Sequence, residues 1–199
     1  MNQVIVKTNN VEQFLKPIHL ACGDDDMRPN MRLIEVCNGV AQATDGHILV
    51  KVDLEKTSLL DPDQINILNG KFIHMEVWKE IHKCDMIELT NDLITCTKNG
   101  IKKMFEYSQP QGTFFRLDDL IAQIMEAGSE SKLMMAYNPK FIGIVAKIFQ
   151  SDTMIFSFSV GSAGTVIFPN DFDGMFAILM PVMITGGTDR YVYLTDHKL

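Results

Sequence analysis

The sequence predicts an α+β protein in which a few short helices back antiparallel, hairpin-rich sheets. Two observations carry that reading. One order of elements, a strand, a helix and then three strands, comes round three times along the 199 residues. The strand-like runs are also punctuated by Asn38-Gly39, Asp45-Gly46 and Asn99-Gly100, dipeptides that tolerate the positive φ of tight hairpins.

In the first unit, residues 2–7 read as a strand, and Asn10 can cap a helix over 11–22 with Val11, Phe14, Leu15, Ile18 and Cys22 on one face. Pro17 interrupts this pattern and predicts a kink or a late start. Strands over 32–37, 40–44 and 47–53 follow. The second unit has a strand at 70–74, a helix over 76–84 burying Val77, Trp78 and Ile81, and strands over 86–90, 93–97 and 101–107. The third begins with a strand at 132–136. Asn138-Pro139 then supplies an N-cap followed by proline at the first helical position, and the helix runs to about Gln150 with Phe141, Ile144, Val145 and Ile148 along one side. Strands over 153–159, 164–168 and 175–184 close the unit. Between the second and third units lies 108–131, with turn residues Gln109-Pro110-Gln111-Gly112 and an acidic helix near 117–127. The predicted division is therefore a complete two-unit domain over 1–110 and an abbreviated one over 111–199, made of one unit, a linker helix and a C-terminal extension. Residues 191–194 could add a last strand.

Composition narrows the function. A chain that is 46% hydrophobic can bury a sizeable core. No apolar run approaches the roughly 18 residues needed to cross a bilayer, and the first ten residues lack the layout of a secretory signal, so a cytoplasmic protein without a membrane role is expected. The four cysteines, Cys22, Cys37, Cys84 and Cys96, have neither paired zinc-site spacing nor the density of a disulfide scaffold, and read as buried free thiols. A net charge of −7 argues against coating nucleic acid with the whole surface.

The search for catalytic chemistry ends without a constellation. There is no GxxxxGK[ST] phosphate loop and no GxSxG elbow. His74 and His82 fall on different elements and lack the spacing of a helical metal pair, so neither a metal nor a cofactor is expected. Asp45 beside His47 suggests a general base oriented by a carboxylate, but Asp45-Gly46 is first of all a turn. Charge distribution is more informative. The three repeat helices carry five lysines against four acids, a net of +1, which leaves −8 on the rest of the chain. Lysines on one helical surface could contact phosphates without reading bases.

Several strings now become recognisable. Arg28-Pro29 with Met31, then Leu33-Ile34-Glu35-Val36, then Ala43-Thr44-Asp45-Gly46-His47-Ile48-Leu49 resembles the middle domain of the bacterial DNA polymerase III beta subunit, the sliding clamp. Gly112-Thr113-Phe114 resembles that family's junction before its last domain. Asn138-Pro139-Lys140-Phe141 resembles the opening of that domain's second helix, and Ala177-Ile178-Leu179-Met180-Pro181-Val182 its close. The resemblance covers most of 1–184 in chain order. It implies the DNA-clamp fold, with helices facing a central hole around duplex DNA and sheets outside. It also implies a non-enzymatic processivity factor that tethers a polymerase by topology.

On that resemblance, Lys16, Lys79, Lys83, Lys140 and Lys147 would face DNA, independently of sequence. A pocket for short hydrophobic peptides of DNA polymerase and other clamp-binding proteins would be walled by Met31, Thr44, Gly46, His47, Ile48, Leu49, Leu120, Ile178, Met180, Pro181 and Val182, although Leu49 and Ile178 equally suit a filler role between sheets. A clamp loader is a further candidate partner. The family's arginine after the turn histidine is Ile48 here, and one near its C-terminus is Met183. Three units per chain, against six in the family's subunit, mean that a ring needs homo-oligomers, four chains by unit count or three with altered geometry. The rival reading is a clamp-like interaction protein that forms no ring and captures or diverts clamp-binding partners. A third is a small-molecule enzyme built on Asp45 and His47.

Overall fold

The computed structural model describes residues 4–7, 15–112, 119, 122, 136–157, 164–171 and 174–182. Among these, the strands are β1 (Val4–Lys7), β2 (Leu33–Cys37), β3 (Val40–Thr44), β4 (Ile48–Asp53), β5 (Lys71–His74), β6 (Met86–Leu89), β7 (Leu93–Lys98), β8 (Ile101–Glu106), β9 (Met154–Ser157), β10 (Thr165–Pro169) and β11 (Met175–Leu179). The helices are α1 (Leu54–Thr57), α2 (Pro62–Leu68), α3 (Met75–Ile81) and α4 (Pro139–Phe149), joined by short 3-10 turns at Ile18–Ala21 and Pro29–Arg32.

Two antiparallel sheets result, one ordered β1-β6-β7-β8 and the other β5-β2-β3-β4-β11-β10-β9. Each of the first two units gives its leading strand to the other's sheet: β1 pairs with β6, and β5 with β2. They are thus interlocked. The third unit joins the first by main-chain pairing, with Leu49 opposite Ile178 and Ile48 opposite Leu179, so the seven-stranded sheet runs across the expected boundary at 110.

The hairpins form where the dipeptides stand. Asn38 and Gly39 both have positive φ, as do Asn99 and Gly100, the pairing that a two-residue hairpin loop needs to match strand twist. The Asn138 side chain accepts a hydrogen bond from the Lys140 N–H, as an N-cap should, with Pro139 just inside the helix. Phe141, Val145, Ile148 and Phe149 turn into the core, while Lys140, Gly143 and Lys147 are exposed. Trp78, Ile34, Val50, Ile94 and Ile167 from the three units share that core.

Three expectations change. The helix over 11–22 is, among the described residues, a 3-10 turn that begins after Pro17, whose ring cannot sit inside a continuous helix. Residues 11–14 lie outside the described set. The strands expected over 2–7, 153–159 and 175–184 are described over the shorter spans above, with Val182 adding an isolated bridge to Ala136. Two helices were not anticipated at all, α1 and α2. Asp53 caps α1, accepting from Glu55 N at 3.0 Å and Lys56 N at 3.3 Å. A capping box opens α2, where Asp61 accepts from Gln64 N at 2.9 Å and the Gln64 side chain accepts from Asp61 N at 2.8 Å. The acidic helix near 117–127 falls outside the described residues except for Asp119 and Ala122, which are helical and exposed. The strand at 132–136 falls outside them except for Ala136, and the strand at 191–194 lies outside them entirely.

Gly143 sits mid-helix in α4, where a Cβ would meet nothing within 4 Å. Gly143→Ala is therefore expected to stabilise the protein by about 0.5–1 kcal/mol, because it removes unfolded-state freedom without a clash. The check is a higher urea midpoint at an unchanged m-value.

Candidate functional site

The turn at 44–48 is built by its own polar groups. Asp45 Oδ1 accepts from the His47 N–H at 2.8 Å and the Ile48 N–H at 2.9 Å. The Thr44 hydroxyl donates to Ile48 O at 2.6 Å and accepts from Gly46 N at 3.0 Å. Gly46 has φ +87, and a Cβ there would lie 3.3 Å from Met31 Cε, so this position favours glycine twice over. Asp45 is thus a backbone cap. The His47 ring stacks on Phe141 of α4, centroids 5.2 Å apart and 24° from parallel, so the general-base geometry considered for this pair is replaced by a turn anchored to the third unit.

Pairing of β4 with β11 brings the other wall alongside. The Met180 N–H donates to His47 O at 2.9 Å, and the Val182 N–H to Ala136 O at 2.9 Å. Thr44, Leu49, Ile178 and Val166 stand opposite one another in successive strands, which puts them on one sheet face. Leu49, Ile178 and Val166 are buried there, with Phe176 packed against them. Ile48 points the other way, into the main core, and Met31 is buried beneath the turn. Met180 and Pro181 are half-buried, and Val182 is 46% exposed. Of the expected pocket residues, the structure therefore gathers the 44–49 hairpin and 178–182 at one junction. Within it, Thr44, Gly46, His47, Met180, Pro181 and Val182 remain accessible, while Met31, Ile48, Leu49 and Ile178 support from below. Leu120 lies outside the described residues.

On the opposite side, α3 and α4 both pack against the Ile18–Ala21 turn. Trp78 Nε1 donates to Lys16 O at 3.0 Å. His82 Nδ1 lies 2.8 Å from Leu15 O, and since a carbonyl can only accept, that nitrogen carries the proton. Lys16 Nζ donates to Phe149 O at 3.4 Å and Gln150 Oε1 at 3.1 Å, so it answers the C-terminal end of α4. Burial lowers its pKa, and Asp171 opposes that shift. Lys16 is a tie between units, unlike the other four expected lysines. Lys83, Lys140 and Lys147 are exposed, and Lys79 is half-buried and paired at 3.1 Å with Glu76, a contact that contributes little in water.

Comparison with solved structures places this fold among known ones. The Pseudomonas aeruginosa DNA polymerase III beta subunit superposes with a TM-score of 0.63 at 14% identity, over 92% of this chain and 67% of that one. The Thermotoga maritima beta subunit gives 0.62 at 14%, over 92% and 66%. The Bartonella birtlesii sliding clamp bound to griselimycin gives 0.61 at 15%, over 92% and 66%. No family model and no curated protein matches the chain. The fold is that of the sliding clamps, an α+β arrangement of antiparallel sheets with few short helices, as the sequence strings implied. The chain spans about two thirds of the length of these clamp subunits. Among the described residues, no helix is long and apolar enough to cross a membrane.

His19 lies in the helical layer, its ring 5.9 Å from that of His82. Burial first, then His82, Lys79 and Lys83, pushes its pKa down from 6.5 to about 4, with Glu76 opposing. Between those values the unfolded chain holds the extra proton and the folded one does not. Stability should therefore be full above about pH 6.5 and fall as the pH drops toward about 4, by roughly 1–2 kcal/mol for a ring still partly in water. Urea titrations across that window should show a steeper decline for the wild type than for His19→Gln.

Proposed function

We propose that this chain is a sliding-clamp-like processivity factor, which encircles duplex DNA without reading its sequence and recruits a DNA polymerase and other replication proteins through the β4–β11 junction. The observation that carries the reading is the segregation of the molecule into two faces. Helices α3 and α4 gather around one turn, with Lys83, Lys140 and Lys147 exposed and Lys79 half-buried beside Glu76, while the hairpin at 44–49 and the strand end at 178–182 meet at a junction of the sheet that touches α4 only through His47 and the residues packed beneath it. Exposed lysines on short helices suit phosphate contacts that are weak, salt-sensitive and blind to base identity. Lys16, turned onto α4, positions that face instead of touching DNA.

Half-buried Met180 and Pro181 and exposed Val182 beside a rigid turn suit short apolar peptides, and methionine adapts to several of them. The division into a complete domain over 1–110 and an abbreviated one over 111–199 belongs to this proposal. So does self-association. Among the described residues β8 is the outer strand of its sheet, and its open main-chain edge, carrying Lys102 and Lys103 beside Ile101 and Met104, is where another chain would pair.

Light scattering of concentrated protein, paired with retention on nicked circular DNA, tests the reading. The expected result is a closed oligomer that stays on the circle and runs off when the DNA is linearised. A monomer that binds clamp-binding peptides without retention would instead make this a capture protein. Lys140→Glu with Lys147→Glu should weaken retention and lower the salt slope by about 2 for each chain touching DNA. Val182→Asp should weaken peptide binding by about tenfold, read by fluorescence polarisation, and leave retention unchanged.

A further inference from the structure

The second unit holds a group that neither proposed face uses. Cys84 follows α3, and Cys96 lies in β7 opposite Ile87 on one side and Lys103 on the other. Both side chains are buried and free, and Cys84 Sγ donates to Ile81 O at 3.1 Å. Together they line a cavity of about 210 Å³ whose wall carries Lys83, Lys98 and Lys103 against the single carboxylate of Glu80. Glu80 is already paired with Lys103, so the remaining charge facing the cavity is positive.

We propose that Cys84 and Cys96 are a redox-active dithiol, oxidised to an intramolecular disulfide by small anionic disulfides that enter this lysine-walled cavity. The lysines at the cavity mouth attract negatively charged reagents. Cys84 is the attacking group. The Cys96 thiol beside it holds its pKa below the usual thiol value although burial opposes this, whereas Cys84 and burial raise Cys96. Cys22 shows the opposite case, a thiol pushed up to about 12 by burial, then by Asp45.

In the first step the Cys84 thiol loses its proton and attacks one sulfur of the reagent RSSR. The S–S bond breaks, and RS⁻ leaves and takes up the proton as RSH. In the second, Cys96 loses its proton and attacks Cys84 Sγ in the mixed disulfide, releasing the second RS⁻, which is protonated in turn. The protein gives up two protons and two electrons, and one RSSR becomes two RSH. The bond pins the loop carrying Lys83 to β7.

The test uses folded, full-length Cys37→Ser protein, which lacks the exposed thiol. It is incubated with glutathione disulfide or with the cationic disulfide cystamine, alkylated, and mapped by mass spectrometry. The expected result is loss of the Cys84 and Cys96 thiols together, reversed by dithiothreitol, on the order of tenfold faster with glutathione disulfide. Adding Cys96→Ser should trap one glutathione on Cys84. Oxidation that proceeds only in urea, or at equal rates with both reagents, overturns the proposal.

Discussion

Everything on the helical side of this molecule depends on how the stretch at 15–21 satisfies its polar groups. Pro17 prevents a continuous helix, so the Leu15 carbonyl meets a donor from outside the stretch and the Lys16 carbonyl takes one besides the Ile18 N–H at 2.7 Å. Those outside donors are His82 and Trp78, both carried by the second unit's helix segment. The Lys16 ammonium meanwhile meets the C-terminal carbonyl end of α4 from the third unit. Helices as short as α3 and α4 have little stability alone and are placed by tertiary contacts. One irregular stretch of the first unit thereby sets the positions of helices from the other two. The lysines they expose inherit their arrangement from it.

The sheets impose the complementary constraint. Exchange of β1 and β5 interlocks the first two units, and the β4–β11 ladder attaches the third through main-chain hydrogen bonds. That ladder also creates the junction where the 44–49 turn meets 178–182. Neither segment makes a surface on its own. The stacking of His47 on Phe141 adds a side-chain link between the same two units, so the turn is held from both the sheet and the helical layer.

Which parts could be read in advance follows from how local their causes are. The Asn38-Gly39 and Asn99-Gly100 hairpins were legible because positive φ at two adjacent residues is a demand that few dipeptides meet. The α4 helix was legible through Asn138-Pro139 and its apolar spacing. The α2 helix was equally accessible through Asp61-Pro62-Asp63-Gln64, a capping box left unread because the run it opens is short and buries few apolar side chains. The α1 turn has Asp53 as its cap, but that residue also ends a strand, so its second role was hidden. The role of Lys16 had no local signal at all. Its partners are more than a hundred residues away, and an amphipathic pattern reports only that a lysine avoids the core. Met31 and Ile48 illustrate the same limit, since the strings around them mark a junction without saying which side chains stay accessible.

The physics of the two faces differs in a way that bears on the proposed tether. A ring that slides must hold DNA by enclosure, so contacts to phosphates have to remain individually weak. Under the proposed function, exposed lysines such as Lys83, Lys140 and Lys147 would meet that requirement better than a charge fixed by burial. Closure has the opposite need, because an interface that opens readily would lose the DNA. Main-chain pairing supplies such strength within the chain at β4–β11. On the proposed reading, strength belongs to main-chain pairing and weakness to the lysines of the helical layer.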